Sequence, residues 1–246
     1  MAEPTTAEAL LADLDPDQRA AVASPSPLVA VVAGAGSGKT RVLTRRVAHR
    51  VAIETADAEH TLVLTFTREA AGELRRRLRR LGLRDAVEAG TFHSVFLAVL
   101  RQRWADTERA PRTVSSDRRR HLGDVLAGDG RPRRTELELA DHEIGWAAAN
   151  GIGPDRYAER ARRTGRRPAG GVDRIADWYA GYERLKRRRG VIDFDDVLSI
   201  TLAEARRDTN FADALRWRFR HLLVDEAQDL NPVQHALIDL LRAGRD

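Results

Sequence analysis

The 246-residue chain contains no cysteine, one methionine and only two lysines, Lys39 and Lys186. Without cysteine there are no disulfides and no thiolate metal sites, and the chain suits a reducing cytoplasm. No apolar run approaches the roughly 18 residues that would suggest a membrane span. Met1–Thr5 has neither the basic start nor the apolar stretch of a secretory signal. Aromatic residues make up only 5%, yet apolar residues reach 42%, ample for a real core. The formal net charge of +5 is set against 37 acidic residues, which favours an anionic partner only mildly. Because nearly every basic residue is arginine, a bias expected of a GC-rich genome, a lysine is informative where it does occur.

Lys39 occurs in a telling place. The β-branched run Leu28–Val32 predicts a buried strand, and Ala33-Gly34-Ala35-Gly36-Ser37-Gly38-Lys39-Thr40 predicts a tight glycine loop. Val42, Leu43, Val47 and Val51 then recur at a helical period, with Arg45, Arg46 and Arg50 on the opposite face. Strand, glycine loop ending in Gly-Lys-Thr, and helix together form a phosphate-binding P-loop. Glycines let backbone N–H groups converge on phosphate oxygens at a helix N-terminus. Lys39 is expected to reach the β- and γ-phosphates of ATP, and the Thr40 hydroxyl to ligate Mg²⁺. Ala33 stands where the usual pattern has its first glycine.

Upstream, Asp15 and Pro16 predict the start of a helix, and Gln18 fits two roles. It completes a capping box with Asp15, and its amide can pair with an adenine edge. Downstream, Thr61–Thr65 predicts a second buried strand, followed by a helix with Leu74, Leu78 and Leu81 on one face. Arg75, Arg76, Arg77, Arg79 and Arg80 crowd its remainder, as either a solvated or a phosphate-contacting face. A weaker strand is expected at Ala86–Ala89, ending at Gly90-Thr91-Phe92-His93-Ser94, with a helix from Val95 to about Trp104. From Ala105 to Arg189 the spacing becomes helical and strands are not expected. This stretch reads as an all-helical insertion, with Ile144, Trp146, Ala147, Tyr157, Ile175, Trp178, Tyr182 and Leu185 as core candidates. Its basic clusters, Arg131–Arg134 and Arg160–Arg167, suit a phosphodiester backbone and solvent equally well.

Strand character returns at His221–Val224, which ends at Asp225-Glu226-Ala227-Gln228-Asp229. Asn231 and Pro232 then start a closing helix over Val233–Leu241. In a parallel α/β sheet, ligands bind beyond the carboxyl ends of the strands, so these strand-end motifs should meet in one crevice. An apolar strand ending in Asp-Glu next to a P-loop is a Mg-nucleotide signature. Asp225 is expected to hold Mg²⁺ through water opposite Thr40, and Glu226 to orient and deprotonate the attacking water.

Taken together, these motifs resemble the N-terminal half of UvrD/Rep/PcrA-type superfamily 1 DNA helicases. Leu14–Gln18 is similar to the Q motif, which implies that Gln18 reads adenine, and Ala33–Thr40 is similar to motif I. Arg41 matches the arginine that stacks on adenine. Thr65–Ala71 resembles motif Ia, with Arg68 and Glu69 replacing an Asn-Lys pair. Thr91–Ser94 resembles motif Ib, Ile192–Leu198 resembles the Asp-Phe-Asp-Asp segment, and Asp225–Asp229 resembles motif II. The resemblance adds Gln228 to the nucleotide contacts and implies a single-stranded DNA track at Thr65, Phe66, Thr91 and His93. The track also has a physical rationale, since stacking on aromatic faces tolerates any base. Phe92 suits either that track or the core.

The implied architecture is a RecA-like P-loop NTPase domain with a parallel sheet, interrupted by the helical insertion. Residues 1–104 and 190–246 would form subdomain 1A, and residues 105–189 subdomain 1B. The resemblance implies a DNA-dependent ATPase and 3′→5′ helicase of DNA repair or recombination, using ATP and Mg²⁺ on single-stranded DNA and duplex junctions. It ends before motif III, so a second RecA-like domain is expected to complete the ATP site, and this polypeptide alone is expected to unwind nothing. Two other readings stay open: the motor part of a RecB/AddA-like helicase–nuclease subunit, and a non-catalytic nucleotide- or DNA-binding module.

Overall fold

The structure, a computed structural model, describes residues 6–34, 36–83, 86–130 and 132–244. Ala35 of the glycine loop and Arg131 of the first basic cluster lie outside the described residues. The chain opens with helices α1 (Ala7–Leu11), α2 (Pro16–Ala23) and α3 (Lys39–Ala52), then β1 (Thr61–Thr65), α4 (Arg68–Arg80), β2 (Glu88–Thr91) and α5 (Phe92–Asp106). It continues through β3 (Thr113–Val114), α6 (Arg118–Leu126), α7 (Arg134–Ala149), α8 (Pro154–Arg163), α9 (Val172–Arg189), β4 (Val191–Ile192) and α10 (Phe194–Arg207). It closes with α11 (Thr209–Arg218), β5 (His221–Val224) and α12 (Pro232–Arg242). Two compact units result, one of residues 1–95, 208–230 and 238–246, the other of residues 96–207 and 231–237.

The first unit is built on a parallel sheet in the order β2-β1-β5. β1 is buried at all five positions, as its uninterrupted apolar run requires of a central parallel strand. Val63 pairs with Ala89 on one side and Leu223 on the other. α4 lays Leu74 and Leu78 on the sheet, where they join Val47, Val63, Val87 and Ala89 in one apolar cluster. Burying a leucine fully contributes about 1.5–3 kcal/mol, so this row outweighs the low strand propensity of Glu88-Ala89-Gly90. β2 itself begins two residues later than expected.

The predicted strand at Leu28–Val32 is not formed. The segment has no regular structure, and Leu28 and Val32 are 63% and 96% exposed. Its β-branched residues favour an extended backbone, but a strand exists only where a second backbone takes its hydrogen bonds. Among the described residues the sheet ends at β5, which pairs with β1.

The second unit is helical apart from two short strands. β3 and β4 form a two-residue parallel ladder, Thr113 to Val191 and Val114 to Ile192, inside and just after the stretch expected to lack strands. Its core unites Leu122, Ile144, Ala147, Tyr157, Ile175, Trp178 and Tyr182. Trp146 packs against that core with the Arg166 guanidinium 4.3 Å above its ring.

Candidate nucleotide site

Three strand ends converge in the first unit. Leu64 pairs with Val224 and Thr65 with Thr91. One step further, the Asp225 N–H donates to the Leu64 carbonyl at 2.8 Å. The register therefore places Thr65, Thr91 and Asp225 at the carboxyl edge of one sheet, where α/β folds bind ligands.

The glycine loop leads into α3 at Lys39. Gly36 and Gly38 have φ of 76° and 87°, a left-handed backbone that suits glycine and rarely other residues. The Ser37 hydroxyl donates to the Gly34 carbonyl at 2.7 Å, and Lys39 Nζ donates to the Ala33 carbonyl at 3.0 Å. The Lys39 charge also reaches Asp225. Burial and the neighbouring Glu226 charge raise the Asp225 carboxyl above its ordinary range, while the Glu226 backbone N–H and Lys39 oppose the shift. Among the described residues no three His, Asp or Glu side chains converge as a metal cage. Mg²⁺ commonly takes one or two protein groups together with phosphate oxygens, and Thr40 and Asp225 are the two expected here.

Glu226 follows in the left-handed region, at φ 51° and ψ 45°, with its side chain exposed. A non-glycine residue there costs roughly 1–2 kcal/mol. Gln228, expected among the nucleotide contacts, donates its amide to Glu226 Oε2 at 2.6 Å.

Gln18 does complete the capping box. Its N–H donates to Asp15 Oδ1 at 2.8 Å, and its Oε1 accepts from the Asp15 N–H at 3.4 Å. It also donates from Nε2 to the Ser37 carbonyl at 3.0 Å, so helix α2 touches the glycine loop directly. Arg41 donates to the Asp13 carbonyl at 2.7 Å. Arg45 donates to the carbonyls of Ala9, Leu10 and Ala12. Arg46 donates to those of Ala21, Val22, Ser24 and Ser26. These arginines satisfy the last carbonyls of α1 and α2 and hold Gln18 beside the loop. Helical spacing alone does not reveal this role. The available signal was two upstream helices with no glycine cap, next to an arginine-lined helix.

The four residues of the expected DNA track separate by exposure. Thr65 and Thr91 are buried, whereas Phe66 and His93 are half-buried. Phe92 is 1% exposed and belongs to the core, with its ring centroid 5.9 Å from that of Phe66. Ser94 accepts from the Thr91 N–H and donates to the Thr91 carbonyl, both at 3.0 Å, closing the turn into α5. Gly90 is required there, because a Cβ would lie 2.8 Å from Val95 and 2.9 Å from Ser94.

Charge burial at Asp225 sets up a test. A carboxyl whose folded pKa is raised contributes stability fully below its unfolded pKa, about 3.9, and loses it as pH rises through the folded value. At neutral pH ionised Asp225 therefore costs stability. Asp225→Asn is expected to raise the melting temperature at pH 7.5, by an amount that shrinks toward pH 4.5. Scanning calorimetry at both values checks this, and an equal or lower melting temperature at pH 7.5 would refute the charge-burial account.

Residues 14–246 match the family model of the UvrD/REP helicase N-terminal domain. The chain is 36% identical over 255 aligned positions to the ATP-dependent DNA helicase UvrD2 of Mycobacterium tuberculosis, covering 96% of this chain and 36% of that protein. It is 36% identical over 264 positions to UvrD1 of the same organism, covering 99% and 32%. It is also 29% identical over 247 positions to the putative ATP-dependent DNA helicase YjcD of Bacillus subtilis, covering 97% and 32%. The chain spans about a third of the length of these curated relatives.

Proposed function

The chain belongs to the UvrD/REP helicase family, whose N-terminal domain it matches over residues 14–246, and from that premise we propose that it is the ATP-binding half of a DNA-dependent ATPase and 3′→5′ DNA helicase acting in DNA repair or recombination. The observation that carries this reading is the buried Asp225 at the end of β5, within reach of the Lys39 charge.

Lys39 contacts the β- and γ-phosphates in place of its present carbonyl partner, and Thr40 and Asp225 hold Mg²⁺. Held by these two residues, Mg²⁺ would supply the charge that neutralises the developing phosphate charge. Glu226 orients water and takes its proton. Gln18 and Arg41 receive the adenine. Residues 1–104 and 190–246 correspond to subdomain 1A, and residues 105–189 to subdomain 1B. Single-stranded DNA runs over the carboxyl edge of the sheet at Thr65, Phe66, Thr91 and His93, with duplex junctions as the wider substrate. A second RecA-like domain supplies the arginines that face the γ-phosphate, a contribution typically of about 10³–10⁵ in rate. Alone, this half binds ATP and turns it over slowly. The absence of cysteine fits work in the cytoplasm.

Lys39→Ala is expected to weaken ATP binding at least about tenfold, since it removes a charge-assisted phosphate contact. Calorimetric titration of the 246-residue chain with ATP and Mg²⁺ measures this. Unchanged affinity would remove Lys39 from the phosphate site and, with it, the main support for the reading.

A further inference from the structure

The second unit carries a cleft of about 480 Å³, every lining residue of which belongs to that unit. Two helices supply walls at helical spacing: Tyr179, Glu183 and Lys186 on α9, and Ser199, Leu202 and Arg206 on α10. The turn between α7 and α8 adds Ile152, and Val233 at the start of α12 lies close to that turn. A Cβ on Gly151 would stand 3.5 Å from Val233 Cγ2. Ile144, Ile152, Leu202 and Val233 give the cleft aliphatic walls.

Its charged groups fall into two sets. Lys186 is 3% exposed and ion-pairs with Glu183, Asp193 and Asp196, so these charges offset one another. Arg187, Arg206 and Arg207 line the same cleft but are exposed. Among the described residues, Arg187 and Arg206 have no carboxylate at ion-pair distance. Arg207 reaches only the charge of Glu204, which Arg103 and Arg109 already hold. An aliphatic slot is thereby joined to a rim of three cations on two helices. Cations on two helices call for more than one anionic group, which an acidic peptide supplies around an apolar side chain. Arginine clusters recognise acidic motifs in this way, because a guanidinium matches a carboxylate bidentately. A polynucleotide fits less well. It carries phosphate at every step, against the carboxylates of Glu183, Asp193, Asp195 and Asp196 in the lining. Tyr179, the one aromatic residue there, is 6% exposed with its hydroxyl on the Ile152 carbonyl, so it offers a base little ring face.

We propose that this cleft docks an acidic segment of a partner protein, seating one aliphatic side chain between α9 and α10 and pairing the segment's carboxylates with Arg187, Arg206 and Arg207. The inference is independent of the nucleotide reading, since the cleft contains no residue of the glycine loop or of the sheet's strand ends.

Fluorescence anisotropy of the 246-residue chain with short labelled peptides of Asp, Glu and Ser, each carrying one central leucine, measures docking. Replacing that leucine by alanine in the peptide should weaken binding at least about tenfold, through loss of a buried aliphatic side chain. Arg206→Glu in the protein should weaken it roughly threefold or more by reversing a rim charge. Arg206 is exposed, so the variant should melt with the unsubstituted chain, which separates lost binding from lost fold. Methyl NMR locates the anchor, with peptide-induced shifts expected at Ile144, Ile152, Leu202 and Val233. Equal affinity for the leucine and alanine peptides overturns the aliphatic seat, and unchanged affinity in Arg206→Glu overturns the rim. Shifts confined to other methyl groups, or no binding below about 1 mM, overturn the proposal as a whole. A single-stranded oligonucleotide that shifts the same methyl groups and displaces the peptide would assign the surface to nucleic acid instead.

Discussion

Lys186→Met is expected to destabilise the helical unit by about 3–5 kcal/mol, the cost of leaving buried charges without their partner. Lys186, one of the two lysines, is 3% exposed. Its ammonium lies 2.8 Å from Glu183, 2.6 Å from Asp196 and 3.4 Å from Asp193. Burial acts to lower its pKa, but these carboxylates hold it above the ordinary lysine value. Arg118 supports the same cluster, 3.3 Å from Asp193 and paired with Asp195, and Tyr182 donates to Asp193 at 2.8 Å. Asp193 and Asp196 cap the start of α10 reciprocally, each accepting the other's backbone N–H at 2.8–2.9 Å. The cluster thus fastens α6, α9 and the start of α10 to one another. Methionine fills similar volume without charge, so the substitution isolates the electrostatic loss.

The pH dependence identifies the cause. Burial would raise Asp193, but Lys186 and Arg118 pull it below the ordinary range. Burial and the Asp193 charge push Asp196 up to about 6, against the pull of Lys186. For Asp196 the sign is that of a raised carboxyl: its contribution is full below about pH 4 and is lost as pH rises through about 6. Without Lys186, Asp196 should stay protonated to still higher pH. The variant is therefore expected to lose more stability at pH 8 than at pH 5. Guanidinium unfolding followed by the fluorescence of buried Trp178 measures both losses. Equal losses would assign the effect to packing rather than to uncompensated carboxylates.

Elements defined by local chemistry were legible in the sequence. The strands Thr61–Thr65 and His221–Val224 form over the expected residues, because each is an apolar run with a clear stop. Asp15 and Asn231 cap helices where their side chains and the following proline require it, and both close capping boxes with a glutamine three residues on. Features that depend on distant partners were not legible. Leu28–Val32 has the composition of a strand, but composition does not say whether a second backbone pairs with it. The carbonyls of α1 and α2 that the α3 arginines hold lie 22 to 36 residues away in the chain, beyond what helical spacing reveals. The Asp-Phe-Asp-Asp segment was recognised as a resemblance without a role, and its partners Lys186 and Arg118 lie 7 and 75 residues upstream of Asp193. Spacing alone could not join them.

Glu226→Gln is expected to lower ATP hydrolysis by about 10²–10⁴, the usual contribution of a positioned general base, while leaving ATP affinity within about twofold. The geometry favours separable effects. Glu226 is exposed beyond the strand end, whereas phosphate affinity is assigned to Lys39 and the glycine loop. The substitution keeps the shape of the side chain and the same left-handed backbone, so the strain at φ 51° is carried equally by both proteins and stability should hardly change. What is lost is the carboxylate that Gln228 now holds at 2.6 Å. A neutral amide there cannot take a proton from water. Single-turnover release of the γ-phosphate, with protein in excess over ATP and Mg²⁺, makes slow hydrolysis measurable without a second domain. Paired calorimetry gives the affinity. Hydrolysis at the unaltered rate would mean that another group accepts the proton. The left-handed residue at 226 would then serve only to turn the chain from β5 toward α12, and Asp225 alone would carry the chemistry of this strand end.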